Sequence, residues 1–242
     1  MKRLLPRLAL ALLALTALPA FAQANEAIRK LFEDKLHGHI EQITKSPIAG
    51  LYEVVADGQI AYVDEKATYF IAGGNLVDTK SMKNLTAEKK TALSDKKLGQ
   101  LPYEQAIKQV RGNGKRVLVT FEDPNCGYCK KLAKELKSVD NITIYTFMIA
   151  ILSDDSADKS KAIWCAGDRA RSWNEWMING SIPVAAAGAK CDADAMLDKN
   201  LKLSTSLAIR GTPYLYFPAS KQQVGGYISA AEIEKALIKD GG

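Results

Sequence analysis

The sequence predicts an α+β protein in two parts, a small β-rich N-terminal segment and a larger C-terminal segment of alternating strands and helices. Three observations predict it. Short runs rich in Val, Ile and Tyr follow residue 49, a lysine-rich polar stretch occupies residues 86–109, and apolar strand-like runs then alternate with helical spacing. The chain has 242 residues, 47% hydrophobic and 25% charged, which excludes disorder and a collagen-like fibre and allows one large domain or two smaller ones.

Residues 1–22 read as a cleaved secretory signal peptide. A basic start (Lys2, Arg3, Arg7) precedes an apolar run from Leu8 to Leu18 and then Ala20-Phe21-Ala22. The run is shorter than the roughly 20 residues a spanning helix needs. Removing those three basic residues and no acidic ones lowers the formal charge from +6 to +3, too small a surplus to argue for nucleic acid or an anionic membrane.

From Asn25 to Ile40 the apolar residues Ile28, Leu31, Phe32, Leu36 and Ile40 fall near helical spacing, which predicts an amphipathic helix with His37 and His39 facing solvent. The runs AGLYEVVA, QIAYVDE and ATYFIAGGNLVD, split by Asp57-Gly58 and Gly73-Gly74, predict an antiparallel meander. A helix and a few strands make a marginal core, and an open edge strand invites pairing with another copy. Residues 23–85 are therefore assigned to an N-terminal domain that self-associates.

Residues 86–110 read as a helical linker with a break at Gly99 to Pro102, and residues 111–242 as the second domain. Lys115 to Glu122 is a nearly continuous apolar run, as expected of a strand covered on both faces. A helix follows Cys126, then a strand at Ile142 to Ile149, a helical stretch from Asp158 to Asn179 and strands near Tyr214 and Val224. Ser229 and Glu232 form a capping box that opens a last helix, Ser229 to Lys239.

The chemistry concentrates in VLVTFEDPNCGYCKKLAKEL, where Cys126-Gly127-Tyr128-Cys129 joins a buried strand to an amphipathic helix. A thiol at a helix N-terminus meets unsatisfied backbone N–H groups and the positive end of the dipole, which favours its thiolate. Cys126 is the expected nucleophile. Cys129, one turn in, is placed to attack a mixed disulfide on Cys126.

In an oxidising compartment, the two-residue gap favours pairing Cys126 with Cys129 and leaves Cys165 with Cys191. The second pair is read as structural, worth roughly 3–4 kcal/mol in the chain-entropy model. A zinc site is disfavoured because Cys165 and Cys191 do not form a second close pair, and c-type haem because Lys130 stands where His is required. An inert bridge at Cys126 and Cys129 is disfavoured because a two-residue loop strains the bond. Lys130, Lys134 and Lys137 read as a solvated stripe, and Trp164, Trp173 and Trp176 as core. Thr212-Pro213 ahead of the apolar Tyr214 to Phe217 reads, taken alone, as a strand boundary.

Together the signal peptide, the β-rich N-terminal domain, the polar linker, FEDPNCGYC, Ile163-Trp164-Cys165, Cys191 and Gly211-Thr212-Pro213 resemble the DsbC/DsbG family of periplasmic disulfide isomerases. Thioredoxins carry Gly-Pro between their cysteines, DsbA oxidases Pro-His and DsbG Pro-Tyr, so Gly127-Tyr128 is of the DsbC type. The resemblance implies a cystatin-like dimerisation domain, a thioredoxin-like domain with a helical insertion pinned by Cys165 and Cys191, and a V-shaped homodimer in the periplasm. It also implies a cis Pro213 against Cys126, with Gly127, Tyr128, Thr212 and Pro213 meeting an extended substrate. The partners implied are exported proteins with mispaired disulfides and a DsbD-type membrane reductase, with no cofactor, metal or nucleic acid. Thr120 stands where thioredoxins carry a buried acid, so no carboxylate relay is expected at that position. Two other functions stay open: a DsbG-like reductase of sulfenylated or single cysteines, and a chaperone-like module for unfolded exported chains.

Overall fold

A computed structural model describes residues 20–188 and 190–238. They divide into two compact units, residues 20–56 with 60–74 and residues 57–59 with 75–238. Most of the expected leader, residues 1–19, lies outside the described residues. Ala20-Phe21-Ala22 form the first turn of a helix.

That helix, α1 (Ala20–Lys30), continues into a π-helical turn at Leu31–Lys35. It packs Ala24, Ile28 and Phe32 on a sheet of β1 (Ile40–Lys45), β2 (Leu51–Ala56), β3 (Gln59–Asp64) and β4 (Phe70–Ala72), in that order. Asp57 and Gly58, both at positive φ, make the two-residue turn between β2 and β3.

The helix expected to reach Ile40 ends earlier. His37 turns left-handed (φ 53°), the Gly38 N–H closes on the Phe32 carbonyl at 2.9 Å, and Ile40 opens β1. Leu36 is exposed, so its helical spacing from Ile40 marks no shared face. His37 and His39 are exposed, as expected.

The second unit opens with a two-strand ladder, β5 (Val77–Asp78) and β6 (Lys83–Asn84), and α2 (Leu85–Leu98). Asn84 caps α2 by accepting the Ala87 N–H at 2.9 Å. The range 86–110 holds more than the helical linker expected there. After Gly99 to Pro102 stop α2, Tyr103–Gln105 form a 3-10 turn and β7 (Ile107–Arg111) joins the main sheet with Ile107 and Gln109 buried. The alternation of inward and outward residues makes this piece a strand.

Next come β8 (Arg116–Glu122), α3 (Gly127–Glu135), β9 (Ile142–Met148), α4 (Asp154–Trp164) and α5 (Arg169–Asn174), which runs into a π-helical turn at Glu175–Asn179. The chain ends with α6 (Ala193–Ser206), β10 (Tyr214–Phe217), β11 (Gln222–Gly225) and α7 (Ala230–Ile238). The helical stretch expected as one piece from Asp158 to Asn179 is two helices, because Asp168 caps a new one through the Arg171 N–H at 2.9 Å. The Ser229 and Glu232 capping box is present.

The main sheet has the order β11-β10-β8-β9-β7, with β8 and β9 parallel and the remaining pairs antiparallel. One face carries Leu118, Ile144, Leu215 and Phe217 under α3 and α7. The other carries Val119, Phe121, Phe147 and Tyr216 with Leu98 of α2 and Leu207 beyond α6. A third cluster joins Cys129 and Ala133 to Met148, Trp164, Trp173, Met177 and Met196. Among the described residues, no helix is long and apolar enough to cross a membrane.

Candidate active site

The buried run of β8 ends at Glu122, and Asp123-Pro124-Asn125 carry the chain to the N-terminus of α3. Asp123 is fully buried and holds this loop: its carboxylate accepts from the Asn125, Ile151 and Leu152 N–H groups at 2.8, 2.9 and 3.1 Å and from the Ser156 hydroxyl at 2.8 Å. These bonds tie the segment before Cys126 to the β9–α4 connection.

Cys126 is the N-cap of α3, its sulfur accepting the Cys129 N–H at 3.4 Å. Both cysteines are free thiols, Cys126 7% exposed and Cys129 closed off entirely. The Cys126 thiol donates to the Thr212 carbonyl at 3.3 Å, and the Thr212–Pro213 bond is cis. The structure therefore brings together Cys126, Cys129, Thr212 and Pro213. Ile209, Arg210, Thr212, Pro213 and Gly226 line an open groove of about 380 Å³ beside them.

Gly127 and Tyr128 occupy the exposed first turn. A Cβ on Gly127 would meet nothing within 4 Å, and Tyr128 is 64% exposed. Trp164 and Trp173 are core, as expected, but Trp176 is half-buried and donates its indole N–H to the Pro124 carbonyl at 2.6 Å. Lys130 and Lys159 lie 4.1 and 4.7 Å from its ring centroid, so Lys130 leaves the solvated stripe to which it was assigned. Cys165 and Cys191 are disulfide-bonded with Cα atoms 5.7 Å apart, and they pack against the third cluster.

Glu122 is the residue missed from the sequence. Burial raises its carboxyl to about 7, opposed by a hydrogen bond from Thr120. Burial also pushes the Cys129 thiol well above its ordinary value, and the Glu122 charge adds to that. Thr120 itself carries no acid, as expected, and a buried carboxyl stands two residues beyond it. Its signal was a glutamate closing a strand covered on both faces.

A dithiol at a helix N-terminus, with one sulfur slightly exposed beside a cis-proline and the other closed off entirely, is the arrangement of a thioredoxin-fold thiol–disulfide oxidoreductase. Comparison with known proteins narrows the class. The thioredoxin-like domain family matches residues 103–239, and the disulfide bond isomerase protein N-terminal domain family matches residues 19–87. The chain is 39% identical over 213 residues to the probable thiol:disulfide interchange protein DsbC of Bordetella pertussis, covering 88% of this chain and 74% of that one. It is 27% identical over 227 residues to the thiol:disulfide interchange protein DsbC of Escherichia coli K12, covering 92% of each. The crystal structure of a disulfide interchange protein from Neisseria gonorrhoeae superposes with a TM-score of 0.52 at 35% identity, covering 58% of this chain and 98% of that one. The chain belongs to the DsbC family of thiol:disulfide interchange proteins.

Proposed function

We propose that the protein is a periplasmic disulfide isomerase that rearranges wrong disulfides in exported proteins through Cys126 and Cys129. The observation that carries this reading is the asymmetry of the pair: Cys126 caps α3 beside Thr212 and Pro213, whereas Cys129 is sealed beneath it.

The Cys126 thiolate attacks one sulfur of a client disulfide. A bond forms between them and the client's other sulfur leaves as a thiolate. That thiolate attacks a second client disulfide, and a client thiolate finally displaces Cys126, so isomerisation consumes no electrons. Cys129 serves stalled complexes: its sulfur attacks Cys126, the mixed disulfide breaks, and the client leaves reduced while the pair becomes a disulfide. A DsbD-type membrane reductase would return two electrons. Gly127, Tyr128, Thr212 and Pro213 form the client-contacting rim, and a homodimer through the N-terminal unit would present two such sites.

The test is reactivation of a scrambled multi-disulfide protein in glutathione buffer by the chain without residues 1–22. Wild type is expected to restore activity, Cys126→Ser to restore none, and Cys129→Ser to restore part while accumulating mixed disulfides. Equal losses in the two variants would overturn the roles. Reduction without reactivation would favour a DsbG-like reductase. A chaperone-like reading draws on the exposed Ile151, Leu152, Ile182 and Val184 of the second unit, and predicts that aggregation suppression survives replacement of both Cys126 and Cys129.

A further inference from the structure

The chain reaches Cys126 through a tight turn. The Cys126 N–H closes on the Asp123 carbonyl at 3.0 Å, so Asp123 to Cys126 form a four-residue turn with Pro124 and Asn125 at its centre. That central pair suits two backbone forms. Proline at the second position fits turn types I and II alike, and asparagine at the third is one of the few side chains that accept the positive φ of type II. The two forms differ by a half-rotation of one peptide unit, the Pro124 carbonyl with the Asn125 N–H. Asn125 is not at positive φ, so the turn is not type II.

Both ends of that peptide unit are held. The Asn125 N–H donates to the Asp123 carboxylate at 2.8 Å, and the Pro124 carbonyl accepts the Trp176 indole N–H at 2.6 Å. The first bond lies within the turn, whereas the second arrives from 52 residues further along the chain.

Trp176 is placed for this by its own backbone. Beyond α5 the helix widens into the π-helical turn Glu175–Asn179, a departure that recurs at functional sites. Trp173 and Met177 on either side are buried and anchor it, while Trp176 stays half-buried at the rim. Lys130 of α3 and Lys159 of α4 set their ammonium groups 4.1 and 4.7 Å from its ring centroid. Lys159 also pairs with Asp155, whose carboxylate accepts the Asn125 side-chain amide at 2.6 Å. These contacts close a ring that leaves the turn at Pro124 and returns to it at Asn125, by way of Trp176, Lys159 and Asp155.

The reacting sulfur hangs on the next residue. Cys126 Sγ meets the Cys129 N–H at 3.4 Å and the Thr212 carbonyl at 3.3 Å, and one sulfur position must satisfy both. A turn that populated two forms would spread the sulfur over more than one position and lose the preorganisation that attack requires.

We propose that Trp176 is a positioning residue for the exchange reaction: its indole N–H holds the Pro124–Asn125 peptide in one orientation and so keeps Cys126 in the geometry from which it attacks. This role rests on the reading of Cys126 as the attacking thiol.

The test compares wild type with Trp176→Phe and with a chain carrying at position 176 the benzothiophene isostere of tryptophan, which keeps the bicyclic ring but has sulfur in place of the N–H. Alkylation by iodoacetamide at neutral pH reads Cys126 alone, since Cys129 is closed to solvent and Cys165 is bonded to Cys191. Relaxation dispersion of the backbone amides reads flipping of the turn on the microsecond-to-millisecond scale. In both variants such exchange is expected at Asn125, Cys126 and Cys129, with alkylation slowed about fivefold, the worth of one hydrogen bond. Wild type should show no such exchange there, and its Trp176 indole proton should trade with water more slowly than a free indole does. An isostere that matches wild type in both readouts would overturn the proposal, as would lowered unfolding stability in the variants with neither readout moved. Free exchange of the indole proton in wild type would overturn it without any variant. A wild-type chain whose Cys126 resists alkylation would instead remove the nucleophilic role of Cys126, and this proposal with it.

Discussion

Glu122 links stability to pH in a direction opposite to most carboxylates. Its folded-state pKa is raised to about 7 from an ordinary 4.5, so as pH rises the unfolded chain ionises first. Stability contributed by the neutral carboxyl is complete at low pH and is lost between those two values. At most this loss is about 3 kcal/mol. Glu122→Gln removes the titration, so urea unfolding should show the variant gaining on wild type from pH 5 to pH 8, and a constant difference would refute it. The sequence made the cysteines legible because a two-residue gap at a strand–helix junction is local information. It left Glu122 unread, since only the packing of α3 on β8 reveals that this glutamate is enclosed.

At the scale of elements, legibility followed hydrophobic patterning. Lys115 to Glu122 and Ile142 to Ile149 announced β8 and β9 because both carry long apolar runs. The helix α6 was missed because its buried residues are Ala193, Met196, Asn200 and Ser204, a face too small and polar to stand out as an apolar stripe. Asn200 earns that burial by donating to the Gln105 and Met148 carbonyls at 3.2 and 3.1 Å. The Cys165–Cys191 bond fastens the segment between α4 and α6, and the Ala186 N–H closes on the Cys165 carbonyl at 2.9 Å. Replacing both cysteines by alanine should lower unfolding free energy by about 3 kcal/mol, read by denaturant titration, while Cys126 stays reactive. Loss of that reactivity would mean that the bond also shapes the site.

For the whole molecule, the expected helical linker proved to be part of the second unit. Ser94 and Asp95 of α2 bond Gln223 of β11 at 3.1 and 2.8 Å, Lys97 reaches the Ser206 carbonyl at 2.9 Å, and Leu98 enters the core. Sequence alone missed this because the anchoring side chains are polar and their partners lie more than a hundred residues away. In the first unit, β4 is a sheet edge with Phe70 and Ile71 exposed and Tyr69 beside them 78% exposed, a surface suited to a second copy. Under the homodimer reading, Ile71→Lys should shift the chain from dimer to monomer in sedimentation while leaving the rate of Cys126 alkylation intact. An unchanged dimer would move the contact elsewhere.

Because the sulfur of Cys126 is itself the cap of α3, the reacting atom and the end of a helix share one amide. Whatever draws electrons from that sulfur, whether a client, an alkylating reagent or its partner cysteine, must loosen its hold on the Cys129 N–H. The nuclear magnetic resonance signal of that proton is then a built-in gauge of redox state, readable without a dye or an introduced label.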